Sequence, residues 1–257
     1  MAPSVGIVVP AFRPDVASLE RYVDALHETV APERIRIELD DPTPGVEERC
    51  RSLPATVDVS AERRGKGAAV TAGFQALSTD VLAFADADGA TPAASVADVV
   101  APVTAGRADL SVGSRRHPDA VVESHQTFAR RRLGDAFAWL ARRLLDADLY
   151  DYQCGAKAIS ARAWADVADH LYESGFAWDI ELIAMAAALE LAVEEVPVRW
   201  EDQPDSTVSP VGTTVELGVA LFVARHRAKL LRDDPLHSVI AARRNRPTAL
   251  IDRGCDE

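Results

Sequence analysis

The sequence predicts an α/β fold in which a single, mostly parallel β-sheet is flanked by helices. Short apolar runs, typical of buried strands, alternate along the chain with segments whose apolar residues recur at helical spacing. Several of these apolar runs end in a charged or glycine-containing cluster. Ligands of such sheets bind beyond the carboxyl ends of the strands, so these clusters are the candidate functional loops.

The individual elements follow from the same pattern. Val5–Pro10 is an apolar run closed by a proline, and Asp15–Val30 carries its apolar residues at helical spacing. Further strands are predicted at Ile35–Leu39, Val57–Val59, Val81–Ala85, Ala108–Val112 and Val193–Trp200. Further helices are predicted at Ala68–Leu77, Ser95–Val103, Thr127–Leu145, Ala158–His170 and Ile180–Leu189. Residues 1–232 are expected to form one domain that ends in an amphipathic helix at about 213–232, and 233–257 a poorly ordered tail.

The composition restricts the class of function. The 257 residues carry a net charge of −12, which argues against a nucleic-acid partner. The longest uncharged stretch, Gly67–Thr79, has 13 residues, short of the roughly 20 that a membrane helix needs. No secretory signal is visible and the three cysteines are isolated, so a cytoplasmic, reducing location is expected. Three of the 28 basic residues are lysines against 40 acidic residues, a balance that indicates a halophilic source.

The acidic cluster Asp86-Ala87-Asp88 follows the most apolar of the predicted strands. Two carboxylates at the end of a buried strand suit Mg²⁺ or Mn²⁺ held against a diphosphate. The alternative is a solvated turn, since aspartate and glycine are common turn residues.

Three further clusters lie at predicted strand ends or on the following helix. Asp40-Asp41 offers acceptors to a nucleoside base, with a turn before Pro42 as the alternative. The stretch Arg63–Gly67 combines cations with glycines that allow backbone amides to approach a phosphate, although it matches neither a Walker A nor a GxGxxG motif. Arg115 and the cluster Arg130–Arg132 are suited to hold a second phosphate, and a solvated basic helix face explains the cluster equally well.

Together these motifs resemble family 2 of the inverting nucleotide-sugar glycosyltransferases, which have the Rossmann-like GT-A fold. Within that family the sequence is most similar to dolichyl-phosphate glucosyltransferases and the related mannose synthases. The resemblance covers about Val5 to Leu231. It is carried by VVPAF at 8–12, GKGAAVTAGF at 65–74, DADGAT at 86–91, GSR at 113–115, DYQCGAK at 151–157, FAWDIELI at 176–183 and EEVPVRW at 194–200.

The resemblance implies roles for individual residues. The metal, Mg²⁺ or Mn²⁺, is expected on Asp86 and Asp88, and the nucleotide on Pro10, Asp40, Asp41, Lys66 and Asp86. Transfer itself is expected to involve Asp88, Arg115, Arg130 and Asp179, with the two arginines on the acceptor phosphate. The sugar or acceptor is expected to meet Asp151, Gln153, Trp178, Glu181 and Arg131, although Trp178 is equally compatible with a core position.

The sequence departs from the family pattern at several of these motifs. Arg13-Pro14-Asp15 replaces the usual Asn-Glu after the first strand, and Asp40-Asp41-Pro42-Thr43 replaces Asp-Asp-Gly-Ser. Gly134 stands where the mannose synthases have a serine, four residues after the helix arginine.

The expected reaction is the inverting transfer of a hexose, glucose, from UDP-glucose to dolichyl or another polyprenyl phosphate, feeding protein N-glycosylation or other glycan assembly. Such an acceptor implies peripheral attachment to the cytoplasmic face of the membrane, and the helix at 213–232 suits either an interfacial or a core-packing role. One alternative is transfer to a sugar hydroxyl, with Asp179 or Glu181 as general base. Another is a non-catalytic module that binds nucleotide sugars.

Overall fold

The computed structural model describes the backbone of residues 2–123, 128–201, 210–241 and 247–253, and the side chains of these residues except 128–133 and 210–216. The strands are β1 (Val5–Phe12), β2 (Arg34–Asp40), β3 (Thr56–Ser60), β4 (Val81–Ala85), β5 (Leu110–Ser114), β6 (Val121–Glu123), β7 (Ala156–Ser160), β8 (Val193–Pro197) and β9 (Arg199–Glu201). The helices are α1 (Val16–Val30), α2 (Val46–Arg51), α3 (Lys66–Ala76), α4 (Ala93–Thr104), α5 (Phe128–Leu144), α6 (Ala161–Val167), α7 (Trp178–Ala188), α8 (Pro210–Leu231) and α9 (Pro235–Ala241).

Seven strands form the central sheet in the order β3-β2-β1-β4-β7-β5-β8. All neighbours pair in parallel except β7, which is antiparallel to both β4 and β5. A second, two-stranded sheet joins β6 to β9. The predicted fold class, a single mostly parallel sheet flanked by helices, is confirmed.

Each face of the sheet carries its own hydrophobic core. One core packs residues of α1 and α4 against the sheet, and the other packs residues of α3, α6, α7 and α8 against the opposite face. Because β4 lies near the centre, all five of its residues are buried. Buried apolar strands of this kind hold the loops at their carboxyl ends in fixed positions.

The segment Ala158–His170 was predicted as one helix, and this is wrong at its beginning. Ala156–Ser160 is the strand β7, and the helix α6 begins only at Ala161. Ser160 caps that helix by accepting a hydrogen bond from the Ala163 N–H at 3.2 Å. The alanines of β7 favour a helix locally, but pairing with β4 and β5 on both sides overrides this preference.

Residues 233–257 were predicted as a poorly ordered tail, and the described part of this segment differs from that prediction. It contains α9 and a 3₁₀ turn at Leu250–Asp252. The Leu250 N–H donates to the Leu171 carbonyl at 2.8 Å, and the Gln75 side-chain amide donates to the Ile251 carbonyl at 3.1 Å. The chain thus returns to pack against the face that carries α3.

Candidate active site

The acidic loop that follows β4 forms a tight turn at the carboxyl end of the sheet. The Asp86 N–H donates to the Gly155 carbonyl at 2.9 Å, and the Gly89 N–H donates to the Asp86 carbonyl at 3.2 Å. The Ala90 N–H donates to Asp88 Oδ1 at 3.0 Å. A Cβ atom at Gly155 would lie 2.2 Å from Asp86 Oδ2, so this glycine lets the carboxylate lie directly against the backbone. Backbone hydrogen bonds and the absence of a side chain at Gly155 therefore fix the positions of both aspartates in this loop.

A chain of alternating charges leads from this loop into the core. Lys66, the first residue of α3, places Nζ 2.9 Å from Asp86 Oδ1 and 3.1 Å from Asp179 Oδ2. Lys157 on β7 places Nζ 2.6 Å from Asp179 Oδ1 and donates to the Cys154 carbonyl at 2.9 Å. The Asp86 side chain is 36% exposed, whereas those of Asp179 and Lys157 are almost completely buried. We call Asp86, Lys66, Asp179 and Lys157 the charge chain.

The charge chain keeps Asp179 and Lys66 ionised. Burial alone would raise the pKa of Asp179, but Lys157 and Lys66 together hold that pKa below its usual range. Burial would likewise lower the pKa of Lys66, yet Asp179 and Asp86 raise it above the usual lysine value. A buried carboxylate bound by two ammonium groups does not accept a proton near neutral pH. In this structure Asp179 thus binds Lys66 and Lys157, and its expected part in transfer stays a prediction.

Asp40, a predicted nucleotide contact, belongs to a second network of ion pairs and hydrogen bonds. Arg64 Nε donates to Asp40 Oδ1 at 2.8 Å, and the Gly65 N–H donates to Asp40 Oδ2 at 3.1 Å. Arg64 also donates to Glu38, a fully buried residue of β2, at 3.0 Å. Asp40 thus binds the loop that precedes Lys66, and its expected contact with a nucleotide stays a prediction. Sequence reasoning singled out the stretch that contains Arg64 but missed Glu38 and its contact with that arginine, because 26 residues separate the two.

Asp41 directly follows Asp40 in the chain and is more accessible to solvent than Asp40. Its carboxylate pairs with Arg13 at 2.6 Å, and both side chains are at least one-third exposed. The Arg63 and Arg13 guanidinium carbons lie 4.2 and 5.2 Å from the centre of the Phe12 ring. Pro10, the other predicted nucleotide contact on β1, is half-buried and pairs in register with Glu38. Arg13, which departs from the family pattern, is thus the ion-pair partner of a predicted base contact.

On the other side of the acidic loop, Arg115 follows β5 and is bound by Asp151. Arg115 Nε and Nη2 donate to the two Asp151 oxygens at 2.7 and 3.0 Å, and the Arg115 N–H donates at 3.1 Å. Although burial opposes it, Arg115 holds the pKa of Asp151 well below its usual range. The Gln153 N–H also donates to Asp151, at 3.0 Å. Asp151 therefore orients Arg115, and the hydrogen bonds within the described part of the chain leave Nη1 of that arginine unused.

The basic helix α5 lies beside Arg115, and a second arginine reaches it. Arg116 Nη1 lies 2.5 Å from Asp135 Oδ1, and its guanidinium covers Gly134, where a Cβ would lie 1.8 Å from Nη2. Gly134 therefore leaves room for Arg116, which sequence reasoning did not select although it directly follows Arg115. The side chains of the predicted acceptor residues, Arg130 and Arg131, lie outside the described residues.

Two of the residues expected on the sugar side face the protein interior instead. The Trp178 ring is fully buried, and its Nε1 donates to Thr71 Oγ1 at 3.1 Å, which matches its core alternative. The Glu181 carboxylate is buried and accepts the Tyr172 and Glu173 N–H groups, both at 2.8 Å. It also pairs with Arg227 of α8. Glu181 thus joins α7 to α8, and its expected place on the sugar side stays a prediction.

The acidic loop fits a small divalent cation. The pKa of Asp88 is raised, first by desolvation and then by the charge of Asp86, and one residue separates the two aspartates in the same turn. Mg²⁺ and Mn²⁺ prefer oxygen ligands and are often held by one or two carboxylates together with substrate phosphates. Across the described residues, no group of three or more His, Cys, Asp or Glu side chains could hold a metal. The donor set therefore suits an ion that takes its other ligands from substrate and water.

Fold and site together define an α/β protein with an acidic loop, a buried lysine and an oriented arginine at the carboxyl edge of its sheet. Residues 6–152 match the family described as Glycosyl transferase family 2. The chain belongs to this family, which confirms the resemblance found in the sequence.

Similar curated proteins carry glycosyltransferase names. The chain is 31% identical over 228 residues to glycosyltransferase AglD of Haloferax volcanii, covering 83% of this chain and 36% of that protein. It is 32% identical over 167 residues to the dolichyl-phosphate beta-glucosyltransferase of Drosophila melanogaster, covering 63% of this chain and 51% of that protein. The chain thus spans about half or less of the length of these relatives.

Solved structures support the fold. Glucosyl-3-phosphoglycerate synthase from Mycobacterium tuberculosis superimposes with a TM-score of 0.67 at 18% identity, covering 87% of this chain and 79% of that one. Mannosyl-3-phosphoglycerate synthase from Rubrobacter xylanophilus gives a TM-score of 0.65 at 17% identity, covering 90% of this chain and 75% of that one.

Proposed function

We propose that this chain transfers glucose from UDP-glucose to dolichyl or another polyprenyl phosphate, with inversion and with Mg²⁺ or Mn²⁺. The observation that carries the proposal is the acidic loop Asp86–Asp88, with Lys66 bound to it, at the carboxyl end of a central buried strand. The names of the curated relatives, dolichyl-phosphate beta-glucosyltransferases among them, support the choice of sugar and acceptor. The Mycobacterium tuberculosis synthase is described as a complex with UDP-glucose and Mn²⁺, the donor and one of the ions proposed here.

The donor side is built from the acidic loop and the charge chain. Asp86 and Asp88 would hold the divalent ion, which when bound offsets negative charge on the departing nucleoside diphosphate. Lys66 keeps a permanent positive charge beside Asp86 and would bind the diphosphate directly. Asp41, Arg13 and Arg63 lie where a nucleoside would extend along the edge of β1 and β2.

Among the described residues, the acceptor side supplies the cation Arg115, and the two carboxylates considered as bases are bound by cations. A phosphomonoester has a second pKa near 6, so its attacking oxygen is already largely anionic at neutral pH and needs positioning more than deprotonation. Arg115 is held rigidly by Asp151 with Nη1 unused in that arrangement, and Arg130 lies on the neighbouring helix α5. Transfer to a sugar hydroxyl would need a base, and the two candidates, Asp179 and Glu181, are both engaged by cations. These contacts favour the lipid phosphate as acceptor.

A polyprenyl acceptor requires access to a membrane surface, and one surface of the molecule has suitable chemistry. α8 buries Leu221 and Ala224 against the core, so the helix has the core-packing role as well. Six exposed apolar side chains lie on α8 and α9, and we call them the apolar ridge: Val219, Phe222, Val223, Leu236, Val239 and Ile240. The two helices are joined by His226 and His237, whose Nδ1 atoms lie 2.7 Å apart.

The distribution of charge also supports contact of this surface with a membrane. α5, which packs against α8, holds five arginines and one aspartate, although the whole chain carries −12. Basic helices with exposed apolar side chains bind anionic lipid surfaces. We propose that the apolar ridge lies at the cytoplasmic face of the membrane. None of the described helices combines the length and apolar character needed to cross a bilayer.

The proposed function is tested by transfer of labelled glucose from UDP-glucose to a short polyprenyl phosphate with Mg²⁺ or Mn²⁺, at low and at molar salt. Asp88→Ala should abolish transfer, whereas Asp98→Ala, on an exposed position of α4, should leave it unchanged. A chelator should stop the reaction, and either ion should restore it. Binding of UDP-glucose without transfer to any lipid phosphate would contradict the proposal and favour a non-catalytic module.

A further inference from the structure

Two of the three lysines in this sequence converge on one buried carboxylate. Lys66 and Lys157 each bind a different oxygen of Asp179, at 3.1 and 2.6 Å. The third lysine, Lys229, lies on α8 and pairs with Asp146. The other 25 basic residues are arginines, so the chain uses lysine chiefly at this one point.

Lys157 occupies a position where a charged group is costly. It lies on β7, between Phe84 of β4 and Val112 of β5 in the centre of the sheet, and its side chain is 1% exposed. A buried ammonium group loses its hydration, and a well-packed apolar residue at such a position is often as stable or more so. Stability of the fold therefore does not account for a lysine here.

The geometry shows what this lysine does. Lys157 Nζ is itself fixed by the Cys154 carbonyl at 2.9 Å and lies 5.6 Å from the centre of the Phe84 ring. It orients Asp179 through Oδ1, and the other oxygen, Oδ2, is thereby directed at Lys66. Lys66 lies 4.7 Å from the centre of the same ring and extends to Asp86 at the crevice.

We propose that Lys157 is a positioning residue for donor binding: through Asp179, it fixes the Lys66 ammonium group beside the acidic loop, where that group meets the diphosphate of the nucleotide sugar. This inference rests on the proposed function, because it assumes that a nucleoside diphosphate binds at Asp86–Asp88. An ammonium group suits the role since it is a compact point charge, whereas the planar fork of an arginine needs more space.

The test measures binding of UDP-glucose by calorimetry in the presence of Mn²⁺, without any acceptor. Lys157→Met keeps the length of the side chain and removes its charge, and we expect it to raise the Kd about tenfold or more, the equivalent of about 1.4 kcal/mol. Lys229→Met is the matched control, because it also removes a paired lysine, and its Kd should equal that of the wild type. A purely structural role for Lys157 would lower the Tm and leave the Kd of the folded protein unchanged, and that result would overturn the inference.

A second variant covers the case in which Lys157→Met does not fold. The double variant Lys157→Met with Asp179→Asn leaves neither charge of the buried pair without its partner. If neither Lys157 nor Asp179 positions Lys66, this variant should bind UDP-glucose as the wild type does, which would refute positioning. If the pair positions Lys66, the affinity should stay at least about tenfold weaker even where the Tm is restored.

Lysine-selective labelling gives a direct view of Lys66. A protein with three lysines labelled at Cε should show three side-chain signals, and UDP-glucose should shift the Lys66 signal in the wild type. In the Lys157→Met variant the free-state Lys66 signal should move and broaden, while the Lys229 signal should stay in place. A wild-type protein that binds no UDP-glucose would contradict the proposed function itself, whereas binding that Lys157→Met does not weaken would contradict the inference alone.

Discussion

Replacement of Asp151 by asparagine gives a strong test of how the site is held together. The Asp151 carboxylate is 2% exposed and accepts four hydrogen bonds, three from Arg115 and one from the Gln153 N–H. Asparagine keeps one acceptor oxygen but turns an amide donor towards Arg115, which leaves that partly buried cation without its buried counter-charge. Breaking a buried ion pair by removing one partner costs about 3–5 kcal/mol. For a domain of this size, each kcal/mol lowers the Tm by about 2–4 °C, so we expect a decrease of about 6–20 °C.

The chain contains a matched control for this variant. Arg13 and Asp41 form an ion pair of similar length, 2.6 Å, whose side chains are 54% and 36% exposed. Exposed pairs contribute about 0–1 kcal/mol, so Asp41→Asn should lower the free energy of unfolding by no more than about 1 kcal/mol. Both variants can be compared by thermal and denaturant unfolding at fixed salt. Equal losses in the two variants would refute the conclusion that burial makes the Arg115–Asp151 pair important.

The effect of Asp151→Asn should also depend on pH in a defined direction. Arg115, acting against burial, holds the pKa of Asp151 below its usual range in the folded protein. A lowered pKa stabilises the fold fully above the unfolded-state value of about 3.9 and loses its effect only as pH falls through the folded-state value. The difference in unfolding free energy between wild type and variant should therefore be constant from about pH 8 to about pH 5 and shrink in stronger acid. A difference that vanished between pH 6 and 8 would contradict this assignment.

Three further perturbations address other parts of the molecule. Gly155→Ala should reduce transfer at least about tenfold, because the new Cβ would lie 2.2 Å from Asp86 Oδ2 and would displace that carboxylate. Gly218→Ala is the control, because the space around its Cβ is open, and its rate should be unchanged. Equal rates in both variants would show that the position of Asp86 is not critical. Arg64→Met should weaken UDP-glucose binding in calorimetry, because Glu38 and Asp40 would lose the cation that fixes the loop before Lys66, and an unchanged Kd would contradict a role for this network in the site. Phe222→Ser should reduce co-sedimentation with vesicles that contain phosphatidylglycerol, with Val121→Ser as an exposed apolar control on β6; equal binding of both variants would place the membrane contact elsewhere.

The sequence was most informative where chemistry and periodicity coincide. Val81–Ala85 was predicted within its observed bounds because a short apolar run followed directly by Asp86 is typical of a buried strand that ends at a crevice. Lys66 was selected because the motif GKGAAVTAGF at 65–74 resembles the glycosyltransferase family, and the structure brings this lysine to Asp86. In both cases the signal lies within a few adjacent residues.

Partners that are distant in sequence could not be predicted. Nothing near Glu38 indicates that a fully buried acid in the middle of β2 is matched by Arg64, 26 residues later. Lys157 and Asp179 were both visible within motifs, yet the contact between them depends on the reversed strand β7, which local alanine content made look helical. The partners of side chains that form networks across the sheet depend on the order and direction of the strands, and no single segment of the sequence determines these.

The reversal of β7 has a mechanical consequence. Because this strand runs opposite to its neighbours, the loop that enters it lies at the same edge of the sheet as the loops that leave β4 and β5. Asp151, which holds Arg115, and Lys157, which holds Asp179, are therefore carried by one short piece of chain. A shift of β7 along its axis would move Lys157 and the loop that carries Asp151 together. It would therefore disturb Asp179 and Arg115 at the same time. The position of this strand therefore sets the positions of Arg115 and Asp179 relative to each other.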